Sequence, residues 1–466
     1  MPFYSKEIFS DKIFYHIYPL GMGNCPHEND FSSPAGFYFQ MLTGELPRIK
    51  ALGCNALYIG PVFESTRHGY DTLDYFHIDR RLGNNEVFKK FCCAAHEQGF
   101  AVVLDAVFNH TGRDFFAFKD IQRHGRFSKY ASWYKNLNFE RRSCYGDSFD
   151  YEGWAGCKDL VKLNLENDDV INHLLDAVKF WIEEFKIDGL RLDAADVLSH
   201  SFLKKLSSFC RSLKSDFWLM GEVVHGNYND WTNSSSIDSV TNYQIYKSLW
   251  SAVDSNNFFE LSYNLDREFG KNGMYKYAPL YNFLENHDVN RLASVLQNPQ
   301  EDLYLLYALM FAIPGIPSIY YGGEWGLCGK RCDWGDYELR PCIPPFADIP
   351  DYAKPRCDTA LLGGAISTLS KIRSESSALQ KGNYVEEFVS NGQFAFSRNY
   401  DNGSEKETVI VVCNIESNDA EVHLKNQYES GGWKNLLTGK NYGGKYLHDI
   451  SIGKKSVMIL CSQKSC

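Results

Sequence analysis

The most constraining feature of the sequence is a rhythm: short apolar runs alternate with helical patterns along most of the chain. IFYHIY (13–18), NALYI (55–59), AVVLDAVF (101–108), GLRLD (189–193) and FWLMGEV (217–223) read as strands. They lack the long two-residue alternation of strands with one wet face, so each is expected to be covered on both sides. Helical patterns separate them: TGELPRIKALG, with Thr43 as N-cap and Gly53 as terminator, then stretches near Glu86–Gln98, Asp169–Phe185 and Ser201–Leu213. Three further runs, IDSVTNY (237–243), LYNFLEN (280–286) and IPSIYY (316–321), are each followed by a helical pattern and bring the strand count to eight. Doubly covered parallel strands joined by helices define an α/β architecture, and eight such units predict a (β/α)8 TIM barrel. In that fold the chemistry gathers at the C-terminal ends of the strands.

Two interruptions set the domain plan. Residues 110–160 are rich in aromatics, poor in either periodicity and too long for a connecting loop, which predicts a lobe inserted after the third strand. Beyond residue 380 the pattern changes to short alternating runs, GQFAFSRNY, ETVIVVCNIE and KSVMILCS, separated by Gly, Asn and Ser, which predict a C-terminal antiparallel β-sandwich. The expected division is a catalytic barrel of residues 1–109 and 161–378, a lobe of 110–160 and a β domain of 379–466.

Composition narrows the function classes. With 466 residues, 44% of them hydrophobic, the chain has material for one large core and a smaller one. Its 48 basic and 58 acidic residues leave a net charge of −10 with no Lys/Arg-rich run, which argues against nucleic acid as a partner. The start, MPFYSKEIFSDKIFYHIYPL, lacks a basic segment followed by an apolar stretch, and no run approaches a membrane span. A cytoplasmic location without a membrane partner is expected. The fourteen cysteines are scattered and include the adjacent Cys92 and Cys93, a pattern of free thiols rather than a disulfide framework. Cys328, Cys332, Cys342 and Cys357 share one loop, but it lacks the paired CxxC elements of a structural zinc site, so no metal is expected there.

Several strand ends carry an acid or a histidine: Asp105 and His110 near the third, Arg191 and Asp193 on the fourth, Glu222 on the fifth, His287 and Asp288 after the seventh. One acid at a strand end is commonly a cap or an ion-pair partner. Their joint placement on the functional face of a barrel points to one pocket.

DAVFNH (105–110), GLRLDAAD (189–196), GEVVHG (221–226) and FLENHD (283–288) resemble, in order and spacing, the four main motifs of the α-amylase family, glycoside hydrolase family 13. LVKLN (160–164), GIPSIYYGGE (315–324) and GYDTLDYFHID (69–79) extend the match from the first strand to the C-terminal domain. The resemblance implies a barrel with an inserted lobe and a C-terminal sandwich, as read above. It implies that Asp193 is the nucleophile of a retaining glycosidase and Glu222 its acid/base, with Arg191 keeping Asp193 ionised while Glu222 holds its proton. Asp288 and His287 would grip sugar hydroxyls, Tyr70 would stack on the sugar being cleaved, and His110 would hydrogen-bond to it. Asp105 takes a supporting role. Of the lobe aromatics Trp133, Tyr134, Tyr151 and Trp154, about half are expected in the lobe's own core and the rest, Trp154 foremost, against the sugar.

The sequence also departs from the family. Many members bind calcium between barrel and lobe, but Lys162 and Val197 occupy two of the ligand positions, so no calcium is expected although Asn109 is retained. No other cofactor is implied. Asp196 and Val197 replace a Lys-His pair that often contacts leaving-group sugars. LVKLN with HGYDTLDYFHID is most similar to the neopullulanases, cyclomaltodextrinases and maltogenic amylases. Those enzymes usually carry a further N-terminal domain that pairs subunits; with a first strand near Ile13, neither that domain nor its swapped dimer is expected, and the cleft should be more open. Arg67, three residues before Tyr70, disfavours a strict exo-glucosidase. The resemblance implies hydrolysis of α-1,4 links, and also α-1,6 links, in maltodextrins or cyclodextrins. Two alternatives stay open. Transglycosylation would pass the same covalent intermediate to a sugar hydroxyl. A catalytically silent barrel would act as a binding protein, which the intact Asp193, Glu222 and Asp288 argue against.

Overall fold

Eight parallel strands close the barrel, and their order accounts for everything that meets at its mouth. In the computed structural model, which describes residues 9–233, 235–333, 335–429, 432–442 and 446–462, they are β1 (Phe14–Ile17), β2 (Ala56–Ile59), β3 (Ala101–Ala106), β4 (Gly189–Leu192), β5 (Trp218–Gly221), β6 (Ser239–Val240), β7 (Tyr281–Phe283) and β8 (Ile316–Tyr320). The sheet runs β6-β5-β4-β3-β2-β1-β8-β7. A single parallel bridge between Thr241 and Tyr281 joins its ends, with the Asn242 amide donating to the Tyr281 carbonyl at 2.9 Å. Phe14, Tyr58, Val103, Trp218, Met220, Tyr281, Phe283 and Ile316 fill the interior, so the barrel is a packed core rather than a pore.

The outer layer is formed by α1 (Tyr38–Ala51), α2 (Asn85–Glu97), α3 (Asp168–Phe180), α4 (His200–Leu213), α5 (Tyr243–Asp254), α6 (Phe259–Phe269), α7 (Pro299–Ala312) and α8 (Thr359–Glu375). Asn84, Asn167, Ser199 and Asn242 cap α2 to α5, each side-chain oxygen accepting from a first-turn amide. Two expectations need correction. Thr43 is no cap: α1 begins at Tyr38, and the Thr43 hydroxyl bonds back to the Phe39 carbonyl at 2.7 Å inside the helix. Apolar Tyr38, Phe39 and Leu42 are all buried, and their packing starts the helix a turn earlier than capping alone suggests. Nor does every unit carry an α-helix, because among the described residues only a short 3₁₀ turn, Tyr228–Asp230, lies between β5 and β6.

The segment after β3 holds more regular structure than its sequence pattern predicts. His110–Gly112, Cys157–Lys162 and Gly153–Trp154 form a three-stranded sheet, and Phe116–His124 is a helix. Phe118, Phe149 and Tyr151 pack its interior. After α8 the chain forms a six-stranded sheet that includes Asn383–Val389, Gln393–Asp401, Lys406–Asn414 and Ser456–Ser462, and the antiparallel pair Ala420–Glu429 and Tyr446–Ile452. Ile410, Val412, Val422, Leu424, Trp433 and Leu460 lie between the two sheets.

Candidate active site

The register of the barrel sets the first pair of charges. β3 and β4 run side by side with Asp105 opposite Arg191, and Arg191 lies opposite Met220 of β5. The ladder continues one step past the strands: the Asp193 amide donates to the Ala106 carbonyl at 3.0 Å and the Glu222 amide to the Leu192 carbonyl at 2.9 Å. Asp193 and Glu222 therefore emerge side by side at the C-terminal rim. Arg191, 2% exposed, stands between them. Its Nη1 contacts Asp105 Oδ1 at 2.9 Å and Asp193 Oδ1 at 3.0 Å, and its Nη2 contacts Glu222 Oε2 at 2.9 Å.

Ala194 adds a contact that depends on an unusual backbone. It adopts a left-handed conformation, φ +45°, costly for a residue with a Cβ, and this turns its amide toward Glu222 Oε2 at 3.0 Å. The Tyr243 hydroxyl donates to Glu222 Oε1 at 3.3 Å and accepts from Asn286 Nδ2 at 3.1 Å.

The loop after β7 supplies the opposite wall. His287 Nε2 meets Asp288 Oδ2 at 2.9 Å, and Arg340 Nη2 donates to Asp288 Oδ1 at 3.0 Å while its Nε donates to the His287 carbonyl at 3.0 Å. Tyr70 closes the circuit, donating to Asp105 Oδ2 at 3.0 Å while its hydroxyl rests on His287 Nε2. His110 is buried with Nε2 unpartnered, and the Trp154 ring, partly exposed at the rim, lies 5.8 Å from it. Of the eight residues singled out from the sequence, Asp193, Glu222, Asp288, Tyr70, Arg191 and His287 thus belong to one network of contacts completed by Asp105, while His110 and Trp154 lie against each other.

The electrostatics differ from the expected split in one respect. Burial pushes the Asp193 carboxyl well above the usual aspartate range, and Glu222, Asp105 and Asp288 push the same way against the pull of Arg191. The Arg191 guanidinium, which also contacts Asp105 and Glu222, does not offset the burial of Asp193. At Asp288 burial also opposes ionisation, but His287 and Arg340 outweigh it and hold that carboxyl well below its usual range. Burial lowers His110 to about 3, leaving a neutral imidazole able to face a hydroxyl.

Other sequence expectations sort on position. Trp133, Tyr134 and Tyr151 are buried in the lobe, so three of the four lobe aromatics serve its core. Arg67 reaches Asp159 of the lobe at 3.6 Å. The calcium position does not fit a cation: the Lys162 ammonium lies there, paired with Glu152 at 2.6 Å, and Asn109 contacts His110 at 3.2 Å. Asp196 is half-buried and its carboxyl is raised by burial, while Val197 is exposed. The Cys332, Cys342 and Cys357 thiols bond separately to the carbonyls of Lys330, Asp348 and Trp325, and no metal-ligand cluster among the described residues includes them. Arg340, Tyr243 and Asn286 were not legible as site residues. Tyr243 and Asn286 lie within IDSVTNY and FLENHD but carry no charge to single them out, and Arg340 arrives from a loop without periodicity.

Two carboxyls, Asp193 and Glu222, side by side at the C-terminal rim of a closed barrel are the arrangement that glycoside hydrolysis requires. The chain belongs to the α-amylase family: residues 39–341 match the family profile described as "Alpha amylase, catalytic domain". It is 30% identical over 429 residues to a cyclomaltodextrinase of Bacillus sp, spanning 87% of this chain and 72% of that one. It is 31% identical over 349 residues to an intracellular maltogenic amylase of Bacillus subtilis, spanning 71% of this chain and 58% of the other. The fold matches the ligand-free cyclic α-maltosyl-(1→6)-maltose hydrolase of Arthrobacter globiformis, with a TM-score of 0.80, 24% identity, and 98% and 99% of the two chains covered.

Proposed function

We propose that this enzyme hydrolyses α-1,4-glucosidic bonds of maltodextrins and cyclodextrins with retention of configuration, accepting α-1,6 links as well. Asp193 attacks the anomeric carbon while Glu222 gives its proton to the leaving oxygen. The resulting glycosyl ester is opened by a water that Glu222, now ionised, deprotonates, and the carboxylate of Asp193 is the leaving group of that second step. Asp288, with His287 and Arg340 around it, holds sugar hydroxyls, and His110 offers its unpartnered Nε2 to the same ring. Tyr70 forms the platform beneath that ring. Trp154 provides an apolar face at the cleft rim.

The observation that carries the reading is Arg191, within 3.0 Å of both Asp193 and Glu222. That arrangement suits the roughly 5 Å carboxyl separation of retaining enzymes. The kinship to a cyclomaltodextrinase and a maltogenic amylase supports the substrate class. The division into barrel (1–109 and 161–378), lobe (110–160) and C-terminal domain (379–466) is part of the same proposal. So is action in the cytoplasm, supported by the intracellular relative; no described helix is long and apolar enough to cross a membrane.

Product analysis on maltoheptaose, β-cyclodextrin, pullulan and panose tests the substrate reading. Linear maltodextrin and opened cyclodextrin products are expected; inertness toward all four would refute it. Products longer than the substrate as the main outcome would assign glycosyl transfer instead.

A further inference from the structure

The floor of the barrel, opposite the catalytic rim, carries a second concentration of charge. A recess of about 220 Å³ opens there between the loops before β7 and β8 and the start of the C-terminal sheet. Lys276, Lys381 and Arg398 line it with Tyr277, Tyr400 and Pro279, and among the described residues no acidic side chain does. Arg373 lies directly behind, its Nη2 donating to the carbonyl of the lining residue Gly315.

Arg373 and Arg398 are each 1% exposed. The other arginines of comparable burial, Arg191 and Arg291, face carboxylates: Asp105, Asp193 and Glu222 for the first, Glu285 for the second. Among the described residues, Arg373 and Arg398 face only carbonyls. Arg373 Nη1 donates to Phe311 at 2.7 Å, Arg398 Nη1 to Ala312 at 2.7 Å, and Arg398 Nη2 to Gly382 at 3.0 Å. Arg373 Nε is buried without a partner. Burial pushes Arg398 far below its ordinary range, with the charge of Arg373 acting in the same direction, and burial alone brings Arg373 to about 9.

A purely structural role explains part of this. Phe311 and Ala312 end α7, and cations suit a helix C-terminus. The helix end supplies only about half a negative charge, however, against two buried guanidiniums and two lysines beside them. Neither Lys276 nor Lys381 is paired with a carboxylate among the described residues.

We propose that this recess binds a phosphate group, carried by inorganic phosphate or by a small phosphomonoester. A dianion with several acceptor oxygens can meet guanidinium and ammonium donors together. The tyrosine and proline walls leave room for a compact organic portion beside the phosphate. Binding would join the barrel floor to the C-terminal sheet and stabilise both by linkage.

Calorimetric titration of the full-length protein with sodium phosphate and, separately, with a hexose 6-phosphate tests this, with sodium chloride at matched ionic strength as control. Thermal melts in the same solutions provide a second readout. Binding and a raised Tm are expected with phosphate but not chloride, and a K276A/K381A variant, altered only at lysines on the rim, should lose about tenfold or more in affinity. Tighter binding of the hexose phosphate would identify an organic phosphate as occupant; equal binding would identify the free ion. The proposal is overturned if phosphate acts no differently from chloride on the unaltered protein, or if K276A/K381A responds to phosphate undiminished.

Discussion

Arg191 serves three carboxylates at once, and much of the site's behaviour follows from that shortage of positive charge. Because burial and neighbouring acids raise Asp193, and Asp193 must be ionised to attack, activity should fall on the acid side well above the usual aspartate range. Replacing Glu222 by Gln removes one of those neighbours. The acid limb for glycosylation by an activated aryl glycoside should then move to lower pH; an unmoved limb would show that Glu222 does not bear on Asp193. Arg340 makes a comparable case on the other wall. Arg340→Met removes one of the two partners of the half-buried Asp288, and kcat/KM should fall about a hundredfold while the fold persists. Malto-oligosaccharide kinetics beside a thermal melt would check both halves of that statement. Asp193, Glu222 and Asp288 stood out in the sequence because each lies at or just beyond the end of an apolar strand pattern within a recognisable motif. Arg340 did not, since its role exists only once a distant loop folds back over β7.

At the scale of elements, the weakest link of the barrel is the seam between β6 and β7, held by one bridge. Asn242, at the end of β6, reinforces it by donating to Glu268 Oε2 of α6 at 2.9 Å and to Asn282 Oδ1 of β7 at 3.2 Å. Burial pushes Glu268 up to about 8, with the Asn242 bond and Arg267 pulling the other way. The folded state therefore keeps this proton over a pH range in which the unfolded chain has lost it. That contribution to stability is complete below the unfolded value and declines as pH rises toward 8. Glu268→Gln should match the unaltered protein near pH 5 and melt higher near pH 9, by an amount worth about 2 kcal/mol or more. Melting curves across that range would contradict the assignment if the two proteins kept a constant difference. The strands were legible because both faces of each are buried. The missing helix between β5 and β6, the early start of α1 and the lobe's short strands were not, since tertiary packing and cross-strand pairing decide them rather than local period.

At the scale of the molecule, the barrel and the C-terminal sheet share a core. Phe394, Phe396, Val409, Val411 and Ile459 pack in the same apolar cluster as Leu305, Leu309 and Leu369 of the barrel's outer helices. Phe258, just before α6, stacks on Phe394 at 5.4 Å. Scanning calorimetry should consequently show one cooperative transition; two resolved transitions would mean that the shared core does not couple the parts. The overall plan was legible from the change of period near residue 380, but this fusion was not, because alternating strands reveal a buried face without naming what buries it.

The central claim is that Asp193 forms a covalent bond to the sugar, and trapping that bond tests it most directly. Incubation with a 5-fluoro α-glucosyl fluoride, followed by intact-protein mass measurement and peptide mapping, should show the addition of one fluoroglucosyl group on the peptide containing Asp193. The Asp193→Asn variant should take up none and should lose turnover of malto-oligosaccharides by about 10⁴-fold or more. Attachment at a different carboxylate, or undiminished turnover by Asp193→Asn, would contradict the account.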